Sequence, residues 1–505
     1  MSRGLRAPGL PGDAYVMLAG VVTGAAYLVN GTHAELTRDQ ALYGYSAQTI
    51  VQGVPAYEGV FNRAGPLAHL ITAVGVLLAR AVGIDDLAGM RLWYLLIAAV
   101  GGALLYLAGR DLFSSRILGL VTAATMLAFV SYGRFAANGP QPKTIMVVFT
   151  AAAIWTLVRR RWVWTGLLIG AATLTWQPVF FLIGPAAAVT ALCDAPRQRS
   201  LQLRSLLKIA AGGVLSIVLV VAYFLAVGAL RTFIDSFLLI NAEYTRQVSF
   251  ITWPGRMALL MWDGYGVALI PLFAGPVALI VLAYREWRTA GRRDEFSAAL
   301  VGLVVGGLAG GVWSIGAFNG YADAFQFLPL SSLGTAAAIR LWQGPTPTRR
   351  ATSVAMAWTL LCLAISVGYA ATHRTHTLDQ QRASVRAVFG RLPDDATIMT
   401  FEAPVPLVLG NLPSPSRYLL FSTDIQAYLD DTWPGGMAGF TDWITRTHPT
   451  VITVDNEETR DFLAPVLARD YVDVGDSSNF TWYVARSVDP RVRAAIADGV
   501  AAARE

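Results

Sequence analysis

The chain has 505 residues, of which 55% are hydrophobic and only 14% are charged, and its mean hydropathy is +0.50. A soluble domain rarely reaches these values, whereas a membrane protein with many spans does so routinely. The formal charge of +6 is small for this length, so no nucleic-acid partner is expected. Cys193 and Cys362 both lie in apolar runs, which argues against a disulfide framework.

Apolar runs of spanning length are interpreted as helices, because the bilayer core offers no hydrogen-bond partner to backbone polar groups. The first run could be a signal peptide, but no small-residue cleavage site follows it, so we expect an uncleaved helix. The runs lie near 15–30, 66–83, 92–109, 117–132, 143–158, 162–176, 178–193, 208–229, 264–284, 297–314, 324–341 and 353–371.

Basic clusters between the runs predict the orientation of the helices, since Lys and Arg favour the cytoplasmic side. An even number of runs separates each cluster from the next, so all can be cytoplasmic together: Arg110/Arg116, 159–161, 197–208, 285–293 and 340–350. Arg3 and Arg6 should also be cytoplasmic, but three runs separate them from Arg110. We therefore expect the run at 66–83 to lie along the outer surface, which leaves about eleven spans and puts 31–91 outside as one long loop. The alternative is a real crossing with a missed or short helix elsewhere.

The stretch between the first two apolar runs is crowded with acidic, amide, basic and aromatic side chains. A carboxylate at a membrane surface is costly unless it is paired or takes part in chemistry. Asp39 is therefore the main catalytic candidate. The neighbouring candidates for substrate binding are Arg38, Gln40, Tyr43, Tyr57, Asn62 and Arg63.

This stretch resembles the first extracytoplasmic loop of the polyprenyl-phosphate-sugar-dependent glycosyltransferases of the GT-C fold, the family of the protein O-mannosyltransferases and aminoarabinose transferases. Their pattern is roughly D-E-x-x-Y, then G-x-x-P-Y-x-D-x-F-x-x-K-x-P-L. Gln40 stands where the family often has a second acid, and Ala64 or Gly65 where it often has Lys. The matching residues are Asp39, Tyr43, Gly53, Pro55, Tyr57, Phe61, Pro66 and Leu67.

Three further outer segments, 133–142, 230–263 and 315–323, supply the other candidates. Relatives often carry an acid near 133–142, where this chain has Gln141 and Lys143, and a His-Tyr-x-x-Gln-x-x-Pro signature that Ala322 and Asp323 replace in part and Gln326 retains. Simpler roles remain open: turn residues, a membrane-surface anchor, or a helix cap at Asp323. The remaining candidates are Asn241, Tyr244 and Arg246.

No metal site is expected, although a divalent cation is the alternative. Metal-dependent relatives hold the ion with carboxylates from two loops, because such ions need hard oxygen ligands. Here the corresponding positions are the neutral residues Gln40 and Gln141. The resemblance therefore implies no cofactor for this chain.

The composition changes after residue 371, and 372–505 reads as a small soluble α/β domain following the transmembrane module 1–371. Strands are expected at 397–401, 417–421, 451–454, 471–474 and 480–484, and helices at 439–447 and 457–469. Eleven crossings from a cytoplasmic N-terminus would place this domain outside the plasma membrane.

The resemblance implies that a sugar passes, with inversion, from a polyprenyl-phosphate donor to a hydroxyl of a glycan, lipid or protein acceptor in the cell envelope. Asp39 would act as the general base, and outer-loop arginines would meet the phosphate. The alternative is a transporter or a flippase for lipid-linked saccharides. Transporters normally have related halves and polar residues at mid-membrane, whereas here the polar residues concentrate in outer segments. A receptor or scaffold is a third interpretation.

Overall fold

The computed structural model describes residues 13–194, 198–244, 250–290, 294–344, 348–477 and 480–504. The first part of the chain is helical: α1 Ala14–Leu28, α2 Arg38–Val51, α3 Pro66–Val82, α4 Asp86–Phe113, α5 Arg116–Ala128, α6 Val130–Ala137, α7 Pro142–Val158, α8 Trp162–Thr173, α9 Phe180–Asp194, α10 Arg199–Ala226, α11 Leu230–Phe233, α12 Pro254–Tyr265, α13 Leu269–Ala290, α14 Glu295–Gly316, α15 Leu328–Gln343 and α16 Arg349–Thr372. A π-helical segment, Ile234–Tyr244, follows α11, and a 3₁₀ segment, Tyr321–Phe327, precedes α15.

Every predicted apolar run overlaps a helix, and the protein has the helices of a multi-pass membrane protein. Within the described ranges, six helical stretches are long and apolar enough to cross a membrane, and the pair α5 and α6 is a seventh candidate bent by 76°. Four apolar helices, α1, α3, α7 and α8, are shorter. The predicted count of eleven spans stays a prediction.

One end of the bundle carries an ion-pair network, which we call the basic end. Asp13, at the start of α1, accepts from Arg110 at 2.9 Å and lies 3.7 Å from Arg116. Asp111 pairs with Arg159 at 3.1 Å, and Arg160 pairs with Asp194 at 2.7 Å. Residues of two basic clusters that we expect on one side, Arg110/Arg116 and 159–161, therefore meet at one end of the bundle.

The opposite end, which we call the mouth, gathers segments that we expect on the outer side and call the first to fifth outer segments: 29–65, 138–143, 174–177, 229–244 and 315–326. Ala34 N donates to Asn138 Oδ1 at 3.2 Å, which joins the first segment to the second. Asn241 Nδ2 donates to Arg63 O at 2.9 Å, which joins the first to the fourth. The C-terminal region covers this end, since Arg374 donates to Val29 O at 2.8 Å.

Helix α3 begins and ends at the mouth. Pro66 occupies its first turn and Gly83, with φ +74°, ends it in the left-handed conformation that glycine tolerates best. Just before it, Arg63 pairs with Asp424 of the C-terminal region at 2.8 Å. Just after it, Asp85 pairs with Arg382 at 2.7 Å. Both ends of α3 thus adjoin the same region, as a helix lying along one surface would.

The C-terminal region is a mixed four-stranded sheet with helices. Strands β1 Ile398–Phe401, β2 Val451–Val454, β3 Tyr471–Ser477 and β4 Phe480–Ala485 lie in the order β1-β2-β4-β3, with β1 and β2 parallel and the other pairs antiparallel. Its helices are α17 Thr377–Phe389, α18 Val405–Gly410, α19 Thr423–Thr432, α20 Gly436–Thr447, α21 Glu457–Asp470 and α22 Pro490–Ala502.

The prediction of a strand at 417–421 is wrong. This segment forms no ladder with β1–β4, because its backbone groups bond to two other segments. Arg417 O accepts from Phe61 N at 2.8 Å, and Leu419 O accepts from Glu402 N at 2.9 Å. The segment therefore connects the first outer segment to the C-terminal region.

Helices α2 and α3 share one hydrophobic core with the C-terminal region. Leu42 and Val76, from α2 and α3, belong to the same buried cluster as Leu407, Trp482 and Val500. Burial of this kind stabilises by roughly 25 cal/mol per Å² of apolar surface removed from water. The C-terminal region is therefore held against the first outer segment by packing as well as by ion pairs.

Candidate functional site

Asp39 lies in the first turn of α2, where a negative charge complements the helix dipole. Thr37 is the N-cap, and the Gln40 side chain accepts from Thr37 N at 3.1 Å in a capping box. Buried Gln40 thus fixes the start of this helix. The Asp39 side chain itself is 54% exposed and faces the mouth region around Arg38.

Arg38 bonds to Asp39 and to Glu402 of the C-terminal region, and it lies near Asp455. Its Nε donates to Asp39 Oδ1 at 3.2 Å, and its Nη1 donates to Glu402 Oε2 at 2.5 Å. Asp455 lies close enough for the guanidinium to lower its pKa, although burial raises that pKa overall. We call Arg38, Asp39, Glu402 and Asp455 the Asp39 cluster.

Glu402 is fixed more firmly than Asp39. Its side chain is 1% exposed and accepts a hydrogen bond from Phe421 N, and its φ of 60° is unusual for a residue other than glycine. Burial raises the pKa of Glu402 above the ordinary carboxyl value, although Arg38 and Phe421 N–H act in the opposite direction. A strained, buried carboxylate of this kind is typical of functional sites.

Tyr43, one turn after Asp39 in α2, belongs to a group of packed aromatic side chains. Burial, with the nearby charge of Asp39, raises the pKa of Tyr43, while Asn62 and Arg63 oppose that shift. Tyr57, with φ 70°, is buried and donates to Ala64 O at 2.6 Å. The Tyr43 and Tyr57 rings both pack on His69, at 5.4 and 5.2 Å between ring centroids.

The predicted residues of the segment 230–263 meet the first outer segment and α19. Asn241 donates to Arg63 O, as above, and Tyr244 donates to Asp431 at 2.9 Å. Arg63 in turn pairs with Asp424, which is 9% exposed. Arg246 falls within 245–249, outside the described residues.

A second group of predicted residues lies at the starts of α7 and α15. Lys143 Nζ is 2.5 Å from Asp323 Oδ1 and lies 5.3 Å from the centre of the Trp176 ring. Asp323 also accepts from Asn319 N at 2.6 Å, and Gln326 donates to Ser314 Oγ at 3.1 Å. We call Lys143, Asp323 and Gln326 the Lys143 cluster.

Tyr94 of α4 lies between the two groups. It is beside Tyr43 and also beside the backbone of Gln141, and its hydroxyl is 2.8 Å from Thr72 Oγ1. Gln141 is buried directly before α7, two residues from Lys143. Nearly all predicted site residues thus border one mouth, in or around the Asp39 cluster and the Lys143 cluster.

Sequence reasoning missed Glu402, Asp455 and Arg417. Arg417 lies over the rings of Phe61 and Tyr418, at 5.6 and 5.2 Å, and 3.7 Å from Glu58. One signal was available: Glu402 and Asp455 each directly follow a strand, and neighbouring parallel strands end at the same edge of a sheet. Nothing in the sequence connected that edge to Arg38.

Comparison with known proteins gives one family and one fold. Residues 62–224, less than half of the chain, match the family described as dolichyl-phosphate-mannose-protein mannosyltransferase. No curated protein matches the chain in sequence.

The structure of ArnT from Cupriavidus metallidurans in the apo state is similar over 93% of this chain and 97% of that chain, with a TM-score of 0.62 and 15% identity. ArnT from the same organism bound to undecaprenyl phosphate is similar over 94% and 98%, with a TM-score of 0.64 and 13% identity. The chain therefore has the GT-C fold of ArnT, and the predicted resemblance to polyprenyl-phosphate-sugar-dependent glycosyltransferases is confirmed.

Proposed function

We propose that this protein is a membrane glycosyltransferase that moves a sugar from a polyprenyl phosphate to an acceptor hydroxyl. The family match over 62–224 supports the glycosyltransferase class. The ArnT structure with undecaprenyl phosphate supports a polyprenyl-phosphate donor. The donor sugar is a hexose or a pentose, and the acceptor is a glycan, lipid or protein of the cell envelope.

The observation that carries the proposal is the position of Asp39. Its carboxylate lies at the mouth, is more than half exposed and is bonded to Arg38 at 3.2 Å. An acceptor hydroxyl can therefore approach it from the open side. A carboxylate within hydrogen-bond reach of that hydroxyl has the geometry of a general base.

In the proposed reaction the acceptor oxygen attacks C1 of the sugar while its proton passes to Asp39. The bond between C1 and the phosphate oxygen breaks, and polyprenyl phosphate leaves with both bonding electrons, so the configuration at C1 inverts. Cations that stabilise the departing phosphate lower the barrier. Arg38, Arg63, Lys143 and Arg417 border the mouth and are the cations proposed for this role.

The proposed orientation puts the mouth and the C-terminal region outside the plasma membrane and the N-terminus in the cytoplasm. Arg110, Arg116, Arg159 and Arg160 at the basic end support it, since positive residues favour the cytoplasmic side. A polyprenyl donor enters from the bilayer, and its phosphate would then reach Asp39 at the outer surface. The two ends of α3 at the mouth support its assignment as a surface helix.

The test uses the full chain in lipid nanodiscs, with a panel of radiolabelled polyprenyl-phosphate pentoses and hexoses and a cell-envelope extract as acceptor. We expect transfer from one donor, with release of polyprenyl phosphate, and a loss of about 10²- to 10⁴-fold in Asp39→Asn. Product of retained configuration, or full activity in Asp39→Asn, would overturn the mechanism. Movement of an intact lipid-linked sugar across vesicles, without release of polyprenyl phosphate, would favour a flippase instead.

A further inference from the structure

Two histidines and an aspartate from distant parts of the chain meet where the C-terminal region joins the bundle. His33 follows α1, whereas His376 caps α17 and Asp379 lies in its first turn. One potential ligand atom from each of the three lies within 4.8 Å of the others. His33 Nδ1 is 3.5 Å from Asp379 Oδ1, and the rings of His33 and His376 are 6.0 Å apart.

Backbone hydrogen bonds hold the three residues in register. Leu378 N donates to His33 O at 3.2 Å, and Asp379 N donates to His376 O at 3.1 Å. Arg374 donates to Val29 O at 2.8 Å on the same side. The main chain thus fixes where the side chains start, while all three side chains remain exposed.

The donor set points to a particular class of ion. Two imidazoles and one carboxylate suit Zn²⁺ and similar borderline transition ions, whereas Mg²⁺ and Ca²⁺ prefer oxygen ligands throughout. Metal–ligand bonds of about 2.1 Å give an edge of about 3.4 Å in a tetrahedron. The 3.5 Å separation of His33 and Asp379 already has that length, and side-chain rotation can close the wider separations.

A simpler explanation is the exposed contact between His33 and Asp379 by itself. Such an exposed pair contributes little to stability. This pair alone does not explain why a ring nitrogen of His376 also lies within 4.8 Å of the potential ligand atoms of His33 and Asp379. The third residue distinguishes the two explanations.

We propose that His33, His376 and Asp379 bind a zinc-type divalent ion, with water completing its coordination. The ion would link the segment just before Thr37 and Asp39 to the start of α17. It would thereby fasten the C-terminal region across the first outer segment. This site is separate from the Asp39 cluster and does not depend on the proposed reaction.

The test is equilibrium dialysis of the chelator-stripped full chain, in detergent, against Zn²⁺ alone, with bound metal quantified. We expect one bound ion per chain, and we expect Zn²⁺ to raise the temperature of thermal unfolding. His33→Ala and His376→Ala should each bind at least about 10-fold more weakly, since losing even an outer partner of a metal ligand costs that much. His448→Ala is the matched control, because exposed His448 packs on Tyr471, away from the cluster.

Cobalt offers an independent readout, because Co²⁺ bound by nitrogen and oxygen ligands in a tetrahedral site absorbs visible light. The spectrum should appear in the wild type and in His448→Ala and be lost in His376→Ala. If the double variant His33→Ala, His376→Ala still binds zinc, the metal is an adventitious ion only and the proposal is overturned. Absence of uptake by the wild type would overturn it as well.

Discussion

The Asp39 cluster and the Lys143 cluster both place a carboxylate beside a cation at the mouth. The two carboxylates differ in how exposed they are and in how many groups bond to them. The Asp39 side chain is 54% exposed and shares Arg38 with Glu402. Asp323 is 8% exposed, and its oxygens receive both Lys143 and Asn319 N. Asp323 is therefore occupied in joining α7 to the 3₁₀ segment before α15, whereas Asp39 remains open to a substrate.

The two candidates therefore differ in how accessible the carboxylate is to a substrate, since both sites contain a carboxylate. Asp323 is among the predicted substrate-binding residues, and that role stays a prediction. In the structure it contacts Lys143, which in turn lies over Trp176. A substrate phosphate could reach Lys143 only by competing with Asp323.

Neutralising each carboxylate in turn tests the difference between Asp39 and Asp323 most directly. We expect Asp39→Asn to lower transfer by about 10²- to 10⁴-fold, because a general base is lost. Asp323→Asn should lower it less than about 10-fold, because the proton transfer remains. Initial rates with saturating donor measure both. Equal losses would show that the two carboxylates share the chemistry.

Two double-mutant cycles measure how much a largely buried ion pair and a more exposed ion pair contribute to stability. Lys143→Met with Asp323→Leu should give a coupling of about 1.5–3 kcal/mol, because this hydrogen bond joins charged, largely buried groups. Arg63→Met with Asp424→Leu should give about 0.2–1 kcal/mol, because Arg63 is 43% exposed. Unfolding in detergent titrations supplies the free energies. Couplings of equal size would contradict the burial argument.

Glu402→Ala tests whether the C-terminal region positions the Asp39 cluster. The variant leaves Phe421 N–H without its acceptor and frees one side of Arg38, so we expect a loss of about 1–3 kcal/mol in unfolding free energy. The value of kcat should fall more than KM rises, because Arg38 no longer holds Asp39. Glu402→Gln is the control: its carbonyl can still accept from Phe421. A stability loss with unchanged kcat would limit Glu402 to a structural role.

The smallest expected effect concerns pH. Burial raises the pKa of Glu402 in the folded chain. The stability that this group contributes is therefore fully present below its ordinary pKa, and it is lost as pH rises through the higher folded pKa. Glu402→Gln should flatten that part of the stability profile. Thermal transitions across the acidic and neutral range measure it, and an unchanged slope would count against the raised pKa.

Sequence reasoning predicted the helical parts of the fold well, because hydropathy is a local property. The apolar runs at 92–109 and 297–314 lie inside α4 and α14. Three outer segments and the first loop were expected on one side, and they meet at the mouth. The segment 417–421 failed because its strand-like composition says nothing about where its hydrogen-bond partners lie.

For the candidate site, the sequence indicated the first-segment residues but not their partners. Asp39 was singled out by its motif and its place after an apolar run. Glu402 was missed because it lies 364 positions from Arg38 along the chain, and no local pattern encodes a contact at that separation. His33 was likewise passed over, since His376 and Asp379 reach it only in the folded chain.

The membrane class, the helical runs and the resemblance to GT-C transferases were predictable from the sequence alone, because composition, periodicity and short motifs depend on neighbouring residues. Only the folded chain shows which charges face each other: Arg38 with Glu402, Lys143 with Asp323, and His33 with Asp379. The folded chain also shows that α3 starts and ends at the mouth. Such pairings depend on how helices and sheet pack, and packing is a property of the whole chain.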